Sequence, residues 1–358
     1  MKSFGQGSSS PWLKVAHFAL PHAPLEIIDT GQIYFAGERH VEGAIASVHG
    51  AMRWGQNADH VHQNYYRHLL QAQFADSIIA RALQRLEQSG ELERTTIVVT
   101  ADHGISYFPR SYRRETTAEN YVFQAGVPLF VKQPNQQSGS TVNDPALSVD
   151  IVPTVVNQFG LNVQNADGVD LAQVGGSAPR STFKHACIDV SAGSAGIGYR
   201  EYRSDLLPGL IAEAQRAHSL FGGGRRPRPL FSRYSNWLGQ SPQDIAASAQ
   251  PDGDTVVFFP RLQLWDQLDP SAEWLPIHID GRFMPSVDEG AGAAPIIAVV
   301  VNDKIAGIMP VLKKGTEYLL STMIEPQSLV KGKNQVSFYR IVEGPSGPSL
   351  KLLKLLYR

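Results

Sequence analysis

An aspartate and a histidine stand side by side at Asp102 and His103, directly after the β-branched run TTIVVT and directly before Gly104. A carboxylate oxygen and a neutral imidazole nitrogen together suit Zn²⁺ or Mn²⁺, and the carboxylate alone also suits Ca²⁺ or Mg²⁺. Two protein donors are few for a tight site, so further ligands are expected from elsewhere. A strand that ends in such a pair delivers it to the carboxyl edge of a sheet, where open α/β sheets place their sites. Gly104 would let the backbone turn sharply after the donors.

Other residues carry chemistry of their own. His22 lies in HFALPHAP, where flanking prolines restrict the backbone and would aim the ring at an anionic oxygen or a leaving group. His17 reads as a core or supporting histidine inside the preceding segment. The loop RSYRRE offers Arg110, Arg113 and Arg114, either as anion binders or as exposed loop arginines. Asp59, His60, His62 and His68 in NADHVHQNYYRH could in principle hold a metal, although His60 and His62 do not share a helical face. His185 is a further possible metal or anion contact, whereas Cys187 reads as a small buried hydrophobe. Trp265, Trp274 and Phe283 allow a carbohydrate platform, but aromatic residues at this density belong more often to a core.

These side chains need a scaffold. Residues 14–20 read as a short buried strand, and residues 25–60 as irregular. From about Tyr65 a helix is expected, with Leu70, Phe74, Ile78, Ala82 and Leu86 on one face, Gln71, Arg81, Gln84 and Arg85 off it, and a stop at Ser89-Gly90. TIVVTA and VPLFVK read as buried strands, and residues 148–160 as a helix with Ser148 or Asp150 as cap. Residues 181–190 form another expected strand. EYRSDLLPGLIAEAQRAHSLF then reads as a helix broken at Pro208. Alternating strands and helices imply an α/β fold with a mostly parallel sheet covered by helices on both faces. Beyond residue 250, short strands separated by Pro, Gly and Asp or Asn turns imply a β-rich, sandwich-like domain. The expected organisation is a flexible tail at 1–13, a partial α/β domain at 14–221, a linker at 222–250 and the β-rich domain at 251–358. The arginines of GGGRRPRP, residues 222–229, read mainly as a solvated linker.

Composition sets the outer limits. The 358 residues are 42 % apolar and 18 % charged, with a net charge of −1, which gives no electrostatic footprint for nucleic acid or anionic lipid. A single cysteine excludes an intramolecular disulfide framework and a four-cysteine zinc site. No apolar stretch reaches the roughly 18 residues that signal a membrane span, and the first twenty residues lack the apolar core of a signal peptide. The opening GQGSSSP reads as a cut end or linker, and the chain as a fragment.

Taken in order, HFALPHAP, the helix leading into TTIVVTADHG, AGVPLFVKQPNQ and SVDIVPTVVNQFG resemble the sulfatase branch of the alkaline phosphatase superfamily over about residues 11–190. The set is specific even though each piece is not. The resemblance implies an incomplete alkaline-phosphatase-like fold with Asp102 and His103 as metal ligands, His22 on the sulfate or phosphate group, and Arg113 or Arg114 binding the same anion. Asp150 is expected to be structural, and His185 could be a later metal or anion contact, as in two-metal members of the superfamily. Histidine at the second motif position is typical of phosphonate- and phosphodiester-cleaving members and phosphoglycerol transferases, while many sulfatases carry asparagine. The implied protein acts on sulfate or phosphate esters with a divalent metal ion. It belongs to the cell envelope, periplasm or extracytoplasmic space, in a full-length form that is membrane-anchored. The chain departs from the family pattern at its start. The acidic strand and the Thr, Ser or Cys nucleophile expected before residue 14 are not found, so weak activity or none is expected from this chain alone. The competing expectations are a phosphoglycerol-transferase-like fragment and a non-catalytic binding or interaction protein on a truncated fold.

Overall fold

The computed structural model describes residues 12–34, 44–48, 51–142, 145–172, 182–189, 196–220, 233–245, 250–258, 262–286, 294–345 and 347–357. They divide into two units that interleave along the chain. An α/β unit takes Met1–His17, Ala44–Gln56 and Asp76–Gly223, and a β-rich unit takes Phe18–Gly43, Asn57–Ala75 and Gly224–Arg358.

The α/β unit contains three two-stranded sheets: β1 (Ala44–Val48) with β2 (Ala51–Trp54), β3 (Ile97–Thr100) with β4 (Leu129–Lys132), and β5 (Thr182–Asp189) with β6 (Gly196–Arg203). All three pairs are antiparallel, so the described part of this unit lacks the expected parallel sheet. Both central runs do form strands, with Ile97 opposite Lys132 and Thr100 opposite Leu129. Helix α1 (Ala58–Gln88) starts a full two turns before Tyr65, because Asn57 Oδ1 accepts the amide of Asp59 at 2.9 Å and caps the first turn. Its residues through 75 belong to the β-rich unit and the rest to the α/β unit. The expected apolar face holds, with Leu70, Ile78 and Leu86 buried. Gly90, in the left-handed region at φ +69°, ends the helix.

Helix α2 (Tyr121–Gln124) is a single turn, and α3 (Ile151–Asn157) follows a 3-10 turn over Ser148–Asp150. Asp150 does not cap α3 with its side chain. Fully buried, it accepts Leu147 N at 2.8 Å and Val169 N at 2.9 Å, which ties two loops together. Pro208 does not break a helix either. EYR closes β6, and Pro208 occupies the first turn of α4 (Leu207–Ser219), where a missing N–H costs nothing. The segment 14–20 is not a strand. Leu13 and Val15 are more than four-fifths exposed, and a short run with no sheet neighbour cannot stay extended and buried.

The β-rich unit holds one sheet of eight strands. In sequence order they are β7 (Gln250–Phe258), β8 (His278–Met284), β9 (Ile296–Val301), β10 (Lys304–Pro310), β11 (Leu312–Lys314), β12 (Glu317–Met323), β13 (Val336–Val342) and β14 (Ser349–Tyr357). In space they run β10-β9-β13-β14-β7-β8-β12-β11. β14 and β7 pair in parallel and the other neighbours are antiparallel. Among the described residues of this unit one sheet forms, where a sandwich was expected. Edge strand β10 comes back to the end of β12, where Glu325 N bonds Ala306 O at 3.1 Å and a side chain on Gly307 would press on the Met323 carbonyl. The sheet thus curls on itself around a core that includes Val299, Val301, Met309, Leu320 and Phe338. A second cluster, with Ala298, Val300, Ile305 and Trp237, covers the other face of β9 and β10, which explains the unbroken apolar run IIAVVV. Trp265 and Phe283 are buried in the first cluster, so they pack the core and offer no carbohydrate platform.

Within the expected linker, Ser235–Trp237 is a 3-10 turn and Pro242–Ile245 a short helix. Residues 222–229 lie outside the described residues. Among the described residues no helix is long and apolar enough to cross a membrane.

Candidate active site

Strand β3 ends at Thr100, and two residues later the chain presents Asp102 and His103 to solvent. The Asp102 side chain is 77 % exposed and that of His103 36 % exposed, with Oδ2 and Nε2 3.7 Å apart. Asp102 Oδ1 accepts the backbone N–H of His103 at 2.9 Å. His103 Nδ1 lies 2.8 Å from the carbonyl of Gly104, which fixes the proton on Nδ1 and leaves the Nε2 lone pair on the Asp102 side. This is the ring setting that metal-binding histidines use, so the two donors fit one divalent ion. Burial pushes the Asp102 carboxyl up, but the His103 amide and the charges of His103 and His17 outweigh it and hold the group below its ordinary value. His17 is exposed and belongs with this motif electrostatically, not with a core.

Gly104 is required for a reason other than a turn. Its amide donates to Gln124 O at 2.9 Å, and a Cβ there would sit 1.9 Å from the carbonyl oxygen of Phe123. The backbone after the motif is pressed against α2, and only glycine fits.

From Gly104 the chain runs out and returns, so that Ser106 N bonds Arg113 O at 2.9 Å. Trp54, at the end of β2 and 1 % exposed, holds this loop. Its indole Nε1 donates to Ser106 O at 2.5 Å, its ring stacks on Tyr107 at 5.5 Å, and the Arg113 guanidinium lies 5.4 Å from its centroid. Gln124 Nε2 donates to Arg113 O at 2.6 Å from the other side. Burial is the main cause that lowers the Arg113 pKa, and the like charge of Arg114 adds to it against the opposing influence of Tyr107. Arg113 is therefore a packed cation and not a free loop arginine. Arg114 is half-buried beside it, and Arg110 sits at φ +65° with its amide on Gly55 O. The roles of Trp54, Ser106 and Gln124 were not read from the sequence. A tryptophan in the Gly-rich stretch before residue 60 was the available signal.

His22 belongs to the β-rich unit and is exposed, with Nδ1 2.6 Å from Ala23 O. Gln71, assigned to the polar side of α1, is fully buried and holds that loop. Its Nε2 donates to His22 O at 2.7 Å, and its Oε1 accepts Glu26 N and Ile27 N. His60 is buried in the same helix. Among the described residues no three His, Cys, Asp or Glu side chains converge as a metal group, which leaves the Asp59–His68 cluster without support. His185 and Cys187 lie on β5, but their side chains fall outside the described residues.

Comparison with known proteins bears on this site directly. Residues 2–161 match the sulfatase family, which places that segment in the sulfatase branch of the alkaline phosphatase superfamily. Among curated relatives, the extracellular sulfatase SULF-1 homolog of Drosophila melanogaster is 31 % identical over 97 residues, 27 % of this chain and 9 % of that protein. The N-acetylglucosamine-6-sulfatase of Capra hircus is 28 % identical over 112 residues, 30 % of this chain and 20 % of that one. Arylsulfatase K of Danio rerio is 30 % identical over 87 residues, 24 % of this chain and 16 % of that one. The matched region spans a fifth or less of each of these relatives. A solved phosphonate monoester hydrolase from Silicibacter pomeroyi is similar at a TM-score of 0.30 and 19 % identity, over 47 % of this chain and 42 % of the other.

Proposed function

We propose that this chain carries the metal- and anion-holding part of a sulfatase-type hydrolase acting on sulfate esters outside the cytoplasm. The observation that carries the reading is the Asp102–His103 pair, open to solvent, with the imidazole proton fixed on Nδ1 by Gly104 O. It stands within the segment that matches the sulfatase family. A divalent ion held there would withdraw charge from a non-bridging oxygen of the ester. Asp102 supplies the anionic donor, and His17 and the His103 amide help keep it ionised. Arg113 or Arg114 would bind the same anion and hold the charge that spreads over it. The nucleophile and the remaining ligands are proposed to come from sequence beyond these residues, so this chain alone should turn over little. An extracytoplasmic location accords with a relative named as an extracellular sulfatase.

The test is Mn²⁺ binding by the full chain, followed by electron paramagnetic resonance, beside assays on aryl sulfates and phosphodiesters. Binding should weaken at least about tenfold in Asp102→Ala, with turnover near background in both proteins. Binding indifferent to both Asp102→Ala and His103→Ala would sink the metal assignment. Strong metal-dependent turnover abolished by Asp102→Ala would overturn the need for residues from elsewhere.

A further inference from the structure

Strands β8 and β12 of the β-rich unit bring a serine, a histidine and an aspartate together, and the proposed sulfatase site uses none of them. Ser321 pairs across the sheet with Asp280, and Met323 with His278. His278 and Asp280 are two apart on one strand, so all three side chains stand on the same face. The imidazole bridges the other two: Nδ1 is 3.0 Å from Asp280 Oδ2, and Nε2 is 2.9 Å from Ser321 Oγ. The Ser321 hydroxyl has a second acceptor in Asp280 Oδ1, at 3.2 Å against 2.9 Å to the imidazole. The His278 side chain is 6 % exposed, with the Tyr34 ring 6.3 Å away, and Ser321 is buried beside it, while Asp280, 51 % exposed, stands at the solvent edge of the cluster.

The order carboxylate, imidazole, hydroxyl is the order needed to activate a serine. The carboxylate holds the proton on Nδ1, which leaves Nε2 as the acceptor for the hydroxyl proton. Two adjacent, hydrogen-bonded strands position the three groups, and such a scaffold holds geometry better than loops do.

We infer that Ser321, His278 and Asp280 form a second reactive centre, an activated serine that accepts acyl groups from small carboxylic esters. Ser321 Oγ bonds to the ester carbonyl carbon as its proton passes to His278 Nε2. The bond from carbon to the alcohol oxygen then breaks, and that oxygen takes the proton from Nε2. Water repeats the sequence on the acyl-serine, which releases the carboxylic acid and restores the hydroxyl. Asp280 is a positioning residue, since it touches the imidazole and not the ester.

The full chain is incubated with an alkyl fluorophosphonate, whose phosphorus bonds to the serine oxygen as fluoride leaves, and the adduct is mapped by peptide mass spectrometry. The expected result is an adduct on Ser321, formed on the order of a hundredfold more slowly in His278→Ala. Asp280→Asn should slow labelling with the melting temperature unchanged, and p-nitrophenyl acetate should give a p-nitrophenol burst absent in Ser321→Ala. No adduct on Ser321 of the folded wild-type chain, an adduct on other residues only, or labelling indifferent to His278→Ala would overturn the inference. None of these readings depends on divalent metal, so they stand or fall apart from the Asp102–His103 site.

Discussion

The two units hold themselves together by different means. The β-rich unit buries continuous apolar rows on both faces of its sheet, with Ile297, Val299, Val301 and Phe338 fully enclosed. The α/β unit, which carries the Asp102–His103 motif, has small apolar clusters such as Tyr121 on Tyr202, joined by polar clamps. Asp150 ties two loops, Trp54 and Gln124 grip the Arg113 loop, and the Lys132 ammonium caps the carbonyls of Leu92, Glu93 and Thr95. An apolar core tolerates reshaping so long as volume is kept, whereas a clamp fails when one atom moves. Sites that must hold a few atoms in place gain from the second arrangement.

The largest effect that would test this contrast lies in the β-rich core. Phe338 is 0 % exposed in the middle of β13, so Phe338→Ala should cost about 3–5 kcal/mol in a denaturant titration. Phe338→Leu should recover most of that loss. If the two variants were equally unstable, the β-rich unit would depend on specific contacts and the contrast would fail.

Gly104→Ala asks the converse question with a single methyl group. The added carbon meets the Phe123 carbonyl, which is backbone and cannot rotate away, so the loop after the motif must shift. The expected cost is about 2–3 kcal/mol, together with weaker Mn²⁺ binding, since His103 Nδ1 is oriented by the carbonyl of the same residue. Unchanged melting and metal binding would show that the loop is not clamped.

Legibility in the sequence follows the same division. The β-rich strands could be read because alternation and apolar runs are local signals, and WLPIHI, PIIAVVVND, YLLSTMI and NQVSFYRI each cover a strand, or part of one, in the structure. Their arrangement could not, because the curl rests on the meeting of β10 and β12, which are near in sequence but lie towards opposite ends of the strand order. In the α/β unit the motif and its strand were legible, since TTIVVTADHG is contiguous. The supports were not: Trp54 meets Ser106 across 52 residues. The same holds in the β-rich unit, where Gln71 meets His22 across 49 residues and a glutamine among polar neighbours gives no sign that it is buried. Gly104 was legible as a necessity, but the reason for it was the nearness of Phe123 and not a turn.

The β-rich unit also has clamps of the other kind, Gln71 among them, and the one at Asp254 gives the smallest and most specific of these expectations. Asp254 is 2 % exposed and accepts Ser286 N and Oγ at 2.7 Å and Arg340 Nη1 at 2.5 Å. Burial raises its pKa, but the Ser286 and Arg340 bonds outweigh that and leave it below the ordinary carboxylate value. A carboxyl depressed in the folded state contributes stability above its unfolded pKa, near about 3.9, and loses it as pH falls through the folded value. Asp254→Asn should therefore cost about 2 kcal/mol at neutral pH, with the difference from wild type shrinking steadily below about pH 4. A constant difference from pH 7 to pH 2.5, measured by urea titration at each pH, would mean that the carboxylate charge adds nothing beyond shape, and that apolar burial alone accounts for this unit.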